Sequence, residues 1–251
     1  MPLSVAIISF NEERIINQTI ESIEKIADEI IIVDSFSTDK TEELCKNFQK
    51  VKFYKKEFEG FGNQKNYALS KCSYNWILFL DSDEIPDETA KESIIKITQN
   101  SNAEFDVYKI GFNNILLGKI LKYGGWGNVF RERLFKKNSA EYSSDIVHET
   151  LVTSKEIGKL QGKINHYTYS CVFHHIEKTN KYTSLMAQKL DERNKKFSAF
   201  KIITKPLFQF IKSYFIKKGF LDGIVGFYAA ITAAFYTFLK YIKLYEIQLK
   251  R

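Results

Sequence analysis

Apolar runs and helical stripes alternate through the first hundred residues. Ser4–Phe10 reads as an apolar strand, and Asn11 is placed to cap a helix with Ile15, Ile16, Ile20, Ile23 and Ile26 on one face. Glu29–Asp34 is a second strand, followed by a Ser/Thr/Asp stretch and a helix to about Gln49. Val51–Tyr54 is a short third strand, Gly62–Lys71 a helix, Trp76–Leu80 a fourth strand, and Asp87–Gln99 a helix after Pro86. Strands separated by helices imply βαβ units with right-handed crossovers, hence an α/β fold built on a largely parallel sheet.

The pattern then changes. Residues 105–147 are rich in Gly, Asn, Tyr and Phe and lack a long helical period, which predicts strands and loops near Phe105–Lys109, Asn128–Lys136 and Val147. Residues 174–197 read as a polar helix. Leu207, Phe208, Phe210, Ile211, Tyr214 and Phe215 form a helical stripe flanked by Lys205, Lys212, Lys217 and Lys218, the pattern of an interfacial amphipathic helix. Ile224–Leu239 carries no charge but is short for a bilayer span, and Asp222 and Lys240 bracket it. The stretch either packs on the domain or docks on a membrane surface. We therefore expect one α/β domain over residues 1–200 and a helical extension over 201–251.

At 251 residues, with 44% hydrophobic and 27% charged residues, the chain can bury one large core and is not disordered. Cys45, Cys72 and Cys171 are odd in number and lack metal-ligand spacing, which suits reduced thiols in the cytoplasm. The amino terminus has a short apolar run and no basic region, and reads as a strand, not a secretion signal. The net charge of +7 is uneven: residues 199–251 hold nine Lys and Arg against Asp222 and Glu246, so residues 1–198 are neutral. A basic, aromatic-rich tail implies an anionic partner, either a membrane surface or a nucleic acid.

Three polar clusters fall at the carboxyl ends of predicted parallel strands: Ser9-Phe10-Asn11-Glu12-Glu13, Asp34-Ser35-Phe36-Ser37-Thr38-Asp39-Lys40-Thr41, and Asp81-Ser82-Asp83-Glu84. Such ends line the ligand crevice of an open α/β sheet. Asp81 and Asp83 on a strand end can share a divalent cation that neutralises a diphosphate, although Asp and Ser also favour plain solvated turns. No GxGxxG or GxxxxGK[ST] motif is present, which removes support for dinucleotide and P-loop chemistry. What remains is a nucleotide site in which Phe10 stacks on a base and Asp34 accepts from its N–H.

The strand–SFNEE opening, the D-S-x-S-x-D-x-T stretch, the G-N-Q-K-N helix and the late D-S-D resemble family 2 inverting glycosyltransferases of the GT-A fold. The resemblance implies that Phe10, Asn11 and Asp34 hold uracil, with Glu12 beside them and Lys65 near the nucleotide. It also implies that Asp81 reaches ribose or metal and that Asp83 ligates Mn²⁺ or Mg²⁺. The commoner pattern D-D-G-S-x-D-x-T is replaced here by Asp34-Ser35-Phe36-Ser37, which bears on base selectivity. Arg133-Leu134-Phe135, Val147-His148-Glu149, His166-Tyr167 and the 219–223 stretch are similar to bacterial enzymes that add glucose to the lipopolysaccharide inner core. That likeness implies a UDP-sugar donor and a lipid-linked saccharide acceptor.

An inverting transfer is one in-line displacement and needs a base for the acceptor hydroxyl. Glu149 is the candidate, with Asp145 the alternative. Arg131 or Arg133 can clamp a diphosphate through its guanidinium fork, or serve in a structural ion pair. His166 can complete a cation site or be a satisfied structural histidine. The expected enzyme is cytoplasmic and peripheral on the inner face of the cytoplasmic membrane. Transfer to polyprenyl phosphate or another polysaccharide is the nearest alternative. A nucleic-acid binder is disfavoured, because clustered Asp34, Asp81 and Asp83 repel phosphate unless a metal is bound.

Overall fold

Strands β1 (Leu3–Ser9) and β2 (Glu29–Asp34) are buried along their whole lengths. Chains of that character suit only a sheet covered on both faces. In the computed structural model, which describes residues 1–143 and 150–250, the two strands pair in parallel. Between them α1 (Ile16–Glu24) buries Ile16, Ile20 and Ile23. The chain continues through α2 (Thr41–Lys46), β3 (Val51–Lys55), α3 (Phe61–Lys71), β4 (Trp76–Asp81), β5 (Glu84–Pro86) and α4 (Glu88–Gln99). Next come β6 (Val107–Leu116), β7 (Lys119–Ile120), β8 (Val129–Lys136), β9 (Glu141–Tyr142), β10 (Leu151–Val152) and β11 (Ile157–Tyr169). Helices α5 (Val172–Glu192), α6 (Ala199–Ile211) and α7 (Gly223–Leu249) close the described chain.

The main sheet has the order β3-β2-β1-β4-β8-β6-β11-β5. Its β3-β2-β1-β4 half is parallel. The pairs β4–β8, β6–β8 and β11–β5 are antiparallel. Alternation along β1 divides the apolar side chains between two cores. Leu3, Val5 and Ile7 join α1 and α4 residues in one, while Ala6 and Ile8 join Ala68, Ile77 and Phe79 in the other.

The molecule divides into two compact units. The first comprises Met1–Phe112 and Val129–His166 and contains both cores. Within it β11 makes a close approach at Gly162, whose φ is +77; a Cβ there would lie 2.2 Å from the amide nitrogen of Ala90. The helix it meets, α4, is capped by Asp87, whose side chain accepts from Ala90 N at 2.8 Å.

The second unit comprises Asn113–Asn128 and Tyr167–Arg251, with α7 packed against α5 and α6. A π-helical turn, Lys212–Ile216, and a 3-10 turn, Gly219–Asp222, join α6 to α7. Gly226 allows the tight turn, since a Cβ there would stand 2.0 Å from the carbonyl oxygen of Gly219. Asp222 is buried and accepts from the backbone N of Lys122 and Tyr123, the latter at 2.8 Å. The segment Gly219–Leu249 is long and apolar enough to cross a membrane, by length and composition.

Several boundaries differ from the pattern. Asn11 does not cap α1: it takes φ 55 and its Oδ1 accepts from Thr38 N, while α1 begins at Ile16 without a side-chain cap. The helix after β2 ends at Lys46, short of Gln49. The strand expected at Phe105–Lys109 runs Val107–Leu116. Strands β5 and β11 were not anticipated, and the strand expected near Val147 lies outside the described residues.

Candidate functional site

The carboxyl ends of β1 and β2 stand side by side because Ser9 is in register with Asp34. Asp34 is fully buried, and its carboxylate accepts from Ser9 Oγ at 2.9 Å, Ser37 N at 2.7 Å and Ser37 Oγ at 2.5 Å. An ionised carboxylate has about four acceptor positions, and these three donors hold Asp34 in place at the strand end. The two loops are laced together. Asn11 N donates to Ser37 Oγ at 2.8 Å, Thr38 N to Asn11 Oδ1 at 2.8 Å, and Glu12 N to Thr41 Oγ1 at 2.8 Å. Phe10 stands 47% exposed beside this seam.

One strand along, β4 ends in Asp81, whose two oxygens face different cations. Lys65 Nζ lies 3.2 Å from Oδ1, and an Arg133 Nη lies 3.0 Å from Oδ2. Lys65 comes from α3 and is buried, its Nζ 4.9 Å from the Phe79 ring centroid and 5.0 Å from that of Tyr142. Arg133 comes from β8 and turns its fork onto Glu84, with Nε at 2.9 Å and Nη at 2.7 Å. Glu84 is fully buried and also accepts from Asp81 N at 3.1 Å. Burial opposes ionisation of Asp81, but Lys65 and Arg133 outweigh it and hold the carboxyl below the ordinary range. Burial likewise disfavours the charged form of Arg133, and Glu84 and Asp81 reverse that and keep the guanidinium charged.

Register places His166 in the same neighbourhood. Pairing of β11 with β5 sets His166 opposite Glu84, and its Nε2 lies 3.5 Å from Asp83 Oδ2. Burial lowers the proton affinity of this imidazole, but Asp83 more than offsets that and raises it above the ordinary value. Among the described residues no three His, Cys, Asp or Glu side chains form a ready-made metal cluster. Asp83 and His166 supply one oxygen and one nitrogen donor. The Asp83 oxygen suits a hard divalent cation that takes other ligands from a diphosphate and water, and His166 can add its nitrogen once its proton is lost.

The structure therefore brings together Phe10, Asn11, Glu12 and Asp34 at one pair of strand ends, and Lys65, Asp81, Asp83, Arg133 and His166 at the next. Glu149 and Asp145 lie outside the described residues. Glu84 had not been given a role of its own. Glu84 looked like the tail of an acidic turn, but it begins a strand and anchors Arg133. Phe36 stands where the commoner motif has glycine, and it takes a glycine-like φ of 60. The signal for β11 was present in the alternation Leu160, Gly162, Ile164 against polar neighbours.

The sequence model of glycosyl transferase family 2 matches residues 4–148, more than half of the chain and the segment that carries both strand-end clusters. The chain belongs to glycosyltransferase family 2. This transferase is 32% identical to the lipopolysaccharide core biosynthesis glycosyltransferase LpsC of Rhizobium meliloti, over 98% of the chain and 93% of the relative. It is 33% identical to an uncharacterized glycosyltransferase of Rickettsia typhi, over 99% of the chain and 88% of that protein. Among solved structures, S. aureus TarS 1–349 in complex with UDP-GlcNAc superposes with a TM-score of 0.49 at 14% identity, covering 100% of the transferase and 93% of that chain. As a member of this family the chain has a GT-A fold, here a mixed sheet whose β3-β2-β1-β4 half is parallel.

Proposed function

We propose that this transferase moves a hexose, with glucose the first choice, from a UDP-sugar to a sugar of a lipid-linked saccharide, with inversion. The setting is lipopolysaccharide core assembly, in keeping with what the relative LpsC is named for. The observation that carries the reading is that Asp34 ends β2, Asp81 ends β4 and Asp83 lies in the turn that follows, all at one edge of the parallel half of the sheet and each with a different set of partners. Asp34 and Asn11 take the uracil edge, Phe10 stacks on the base, and Glu12 N tethers the loop to Thr41. Asp81, held by Lys65 and Arg133, faces the ribose. Asp83 and His166 are the residues to hold Mn²⁺ or Mg²⁺. When bound, the cation neutralises charge on the departing diphosphate.

Glu149 is the proposed base and Asp145 the alternative, on the grounds of their place in the sequence. A base there draws the proton from the acceptor hydroxyl as its oxygen attacks the anomeric carbon and UDP departs. Residues 1–200 are the proposed transfer domain and 201–251 the extension that rests on the cytoplasmic face of the membrane. Supporting that placement, Phe200, Ile203, Leu207, Phe208, Phe215 and Ile216 are each more than half exposed beside Lys201, Lys205 and Lys212.

The test is transfer by the full chain from labelled UDP-glucose, UDP-galactose and UDP-GlcNAc. Acceptor arms are a heptose-bearing lipid-linked saccharide and a polyprenyl phosphate, with product anomers assigned by NMR. A β-linked glucose on the saccharide is the expected product. Transfer only to polyprenyl phosphate would replace the acceptor assignment, and no transfer from any UDP-hexose would refute the reading.

A further inference from the structure

Phe36 carries an unusual combination. Its side chain is 50% exposed, and its backbone holds φ 60, a left-handed conformation that bulky residues adopt rarely. Such a conformation persists only where the surroundings over-determine it, and it concentrates where ligands are held. The surroundings here do so from both sides. Ser35 N donates to Ser9 O at 2.9 Å and Ser35 Oγ accepts from Gln64 at 3.0 Å. Ser37 N and Oγ both donate to Asp34. The ring does not repay this by packing, since Phe36 joins neither of the unit's two cores.

The facing loop presents a second ring. Phe10 follows Ser9, the register partner of Asp34, and is exposed to a similar degree. Asn11 N to Ser37 Oγ and Thr38 N to Asn11 Oδ1 lace the loops at the residues next to these two rings. Two half-exposed aromatics thus follow the ends of two paired strands, in loops tied to each other by hydrogen bonds, with Asp34 ending one of those strands.

We propose that Phe36 is a base-binding residue of the transferase, an aromatic wall that stacks with Phe10 on the pyrimidine of the donor nucleotide. This rests on the reading that a uridine nucleotide binds at Asp34. The left-handed backbone turns the ring out of the core, so that a planar base replaces water on its face.

The experiment measures uridine and UDP affinity, alongside thermal stability, for wild type, Phe36→Gly and Phe36→Trp. Glycine relieves the backbone, so the melting temperature of Phe36→Gly should hold or rise. Its affinity for uridine and for UDP should fall about tenfold, the scale of one lost stacking contact. Tryptophan keeps the wall and adds a reporter: Phe36→Trp should retain affinity within about twofold, and its fluorescence should change on adding uridine. A structural role would move stability and affinity down together. Phe36→Gly binding UDP like wild type, or losing its fold, would overturn the proposal, as would unresponsive fluorescence in Phe36→Trp. Wild type that binds no uridine nucleotide would overturn the donor reading itself, a distinct result.

Discussion

Glu84→Gln should destabilise the transferase far more than its isosteric shape suggests. The Glu84 carboxylate is fully buried and holds three donors: Arg133 Nε at 2.9 Å, an Arg133 Nη at 2.7 Å and Asp81 N at 3.1 Å. Glutamine keeps one acceptor and points an amide donor at an existing donor. Arg133, itself 3% exposed, then keeps Asp81 as its charge partner among the described residues. Breaking a buried pair from one side costs about 3–5 kcal/mol. The surviving Asp81 contact puts this case near the lower end, about 3 kcal/mol. For a chain of this size that corresponds to a drop of about 6–12 °C in melting temperature. Glu84→Gln combined with Arg133→Met removes both charges and should recover most of the loss, because neutral pairs of matching volume are tolerated there. Thermal or urea unfolding of wild type, the single and the double variant decides it. A Glu84→Gln shift under about 2 °C, or a double variant no better than the single, would refute the claim that Glu84 compensates Arg133.

Other expectations follow from the same structure. Burial opposes ionisation of Glu29, but bonds from Lys52, Ser4 and Ser73 draw its pKa from 4.5 down to about 2, so its stabilisation is present above pH 4.5 and fades as pH falls toward 2. Unfolding free energy measured against pH should therefore slope less steeply across that window in Glu29→Gln. Burial pushes the Cys45 and Cys72 thiols up to about 12, whereas Cys171 is only partly buried, so an alkylating reagent should label Cys171 first in the native protein. Replacing Lys201, Lys205 and Lys212 with Gln should weaken binding to anionic vesicles about 100-fold, given about 1 kcal/mol per lysine, and leave neutral vesicles unaffected. Equal binding by the triple variant in a sedimentation assay would remove the electrostatic part of the membrane reading.

The parallel half of the fold was legible because β1, β2 and β4 are buried, mainly apolar runs and the first helix repeats isoleucine at helical spacing. The second half was not, for a physical reason. Antiparallel strands such as β8 and β11 mix buried and exposed positions, and their order in the sheet depends on long-range pairing that a local pattern does not encode. The site divides in the same way. Asp34, Asp81 and Asp83 could be placed because the ends of parallel strands share an edge. That His166 meets Asp83 depends on the β11–β5 register, and that the Arg133 fork closes on Glu84 depends on the β4–β8 pair. A guanidinium in sequence announces a bidentate partner without naming it. Asn11 shows the opposite error, where a good capping residue instead ties two loops together through Thr38 N.

The central claim is that the two strand-end clusters form one cation-dependent UDP-sugar site. Its most direct test is calorimetric binding of UDP-, GDP- and dTDP-sugars by the full chain, with and without Mn²⁺, in wild type and Asp83→Ala. One UDP-sugar should bind tightly with Mn²⁺, and Asp83→Ala should remove the metal-dependent gain while the protein stays folded. A folded wild type that binds no nucleotide sugar, or binds one equally well without metal and without Asp83, would contradict the claim.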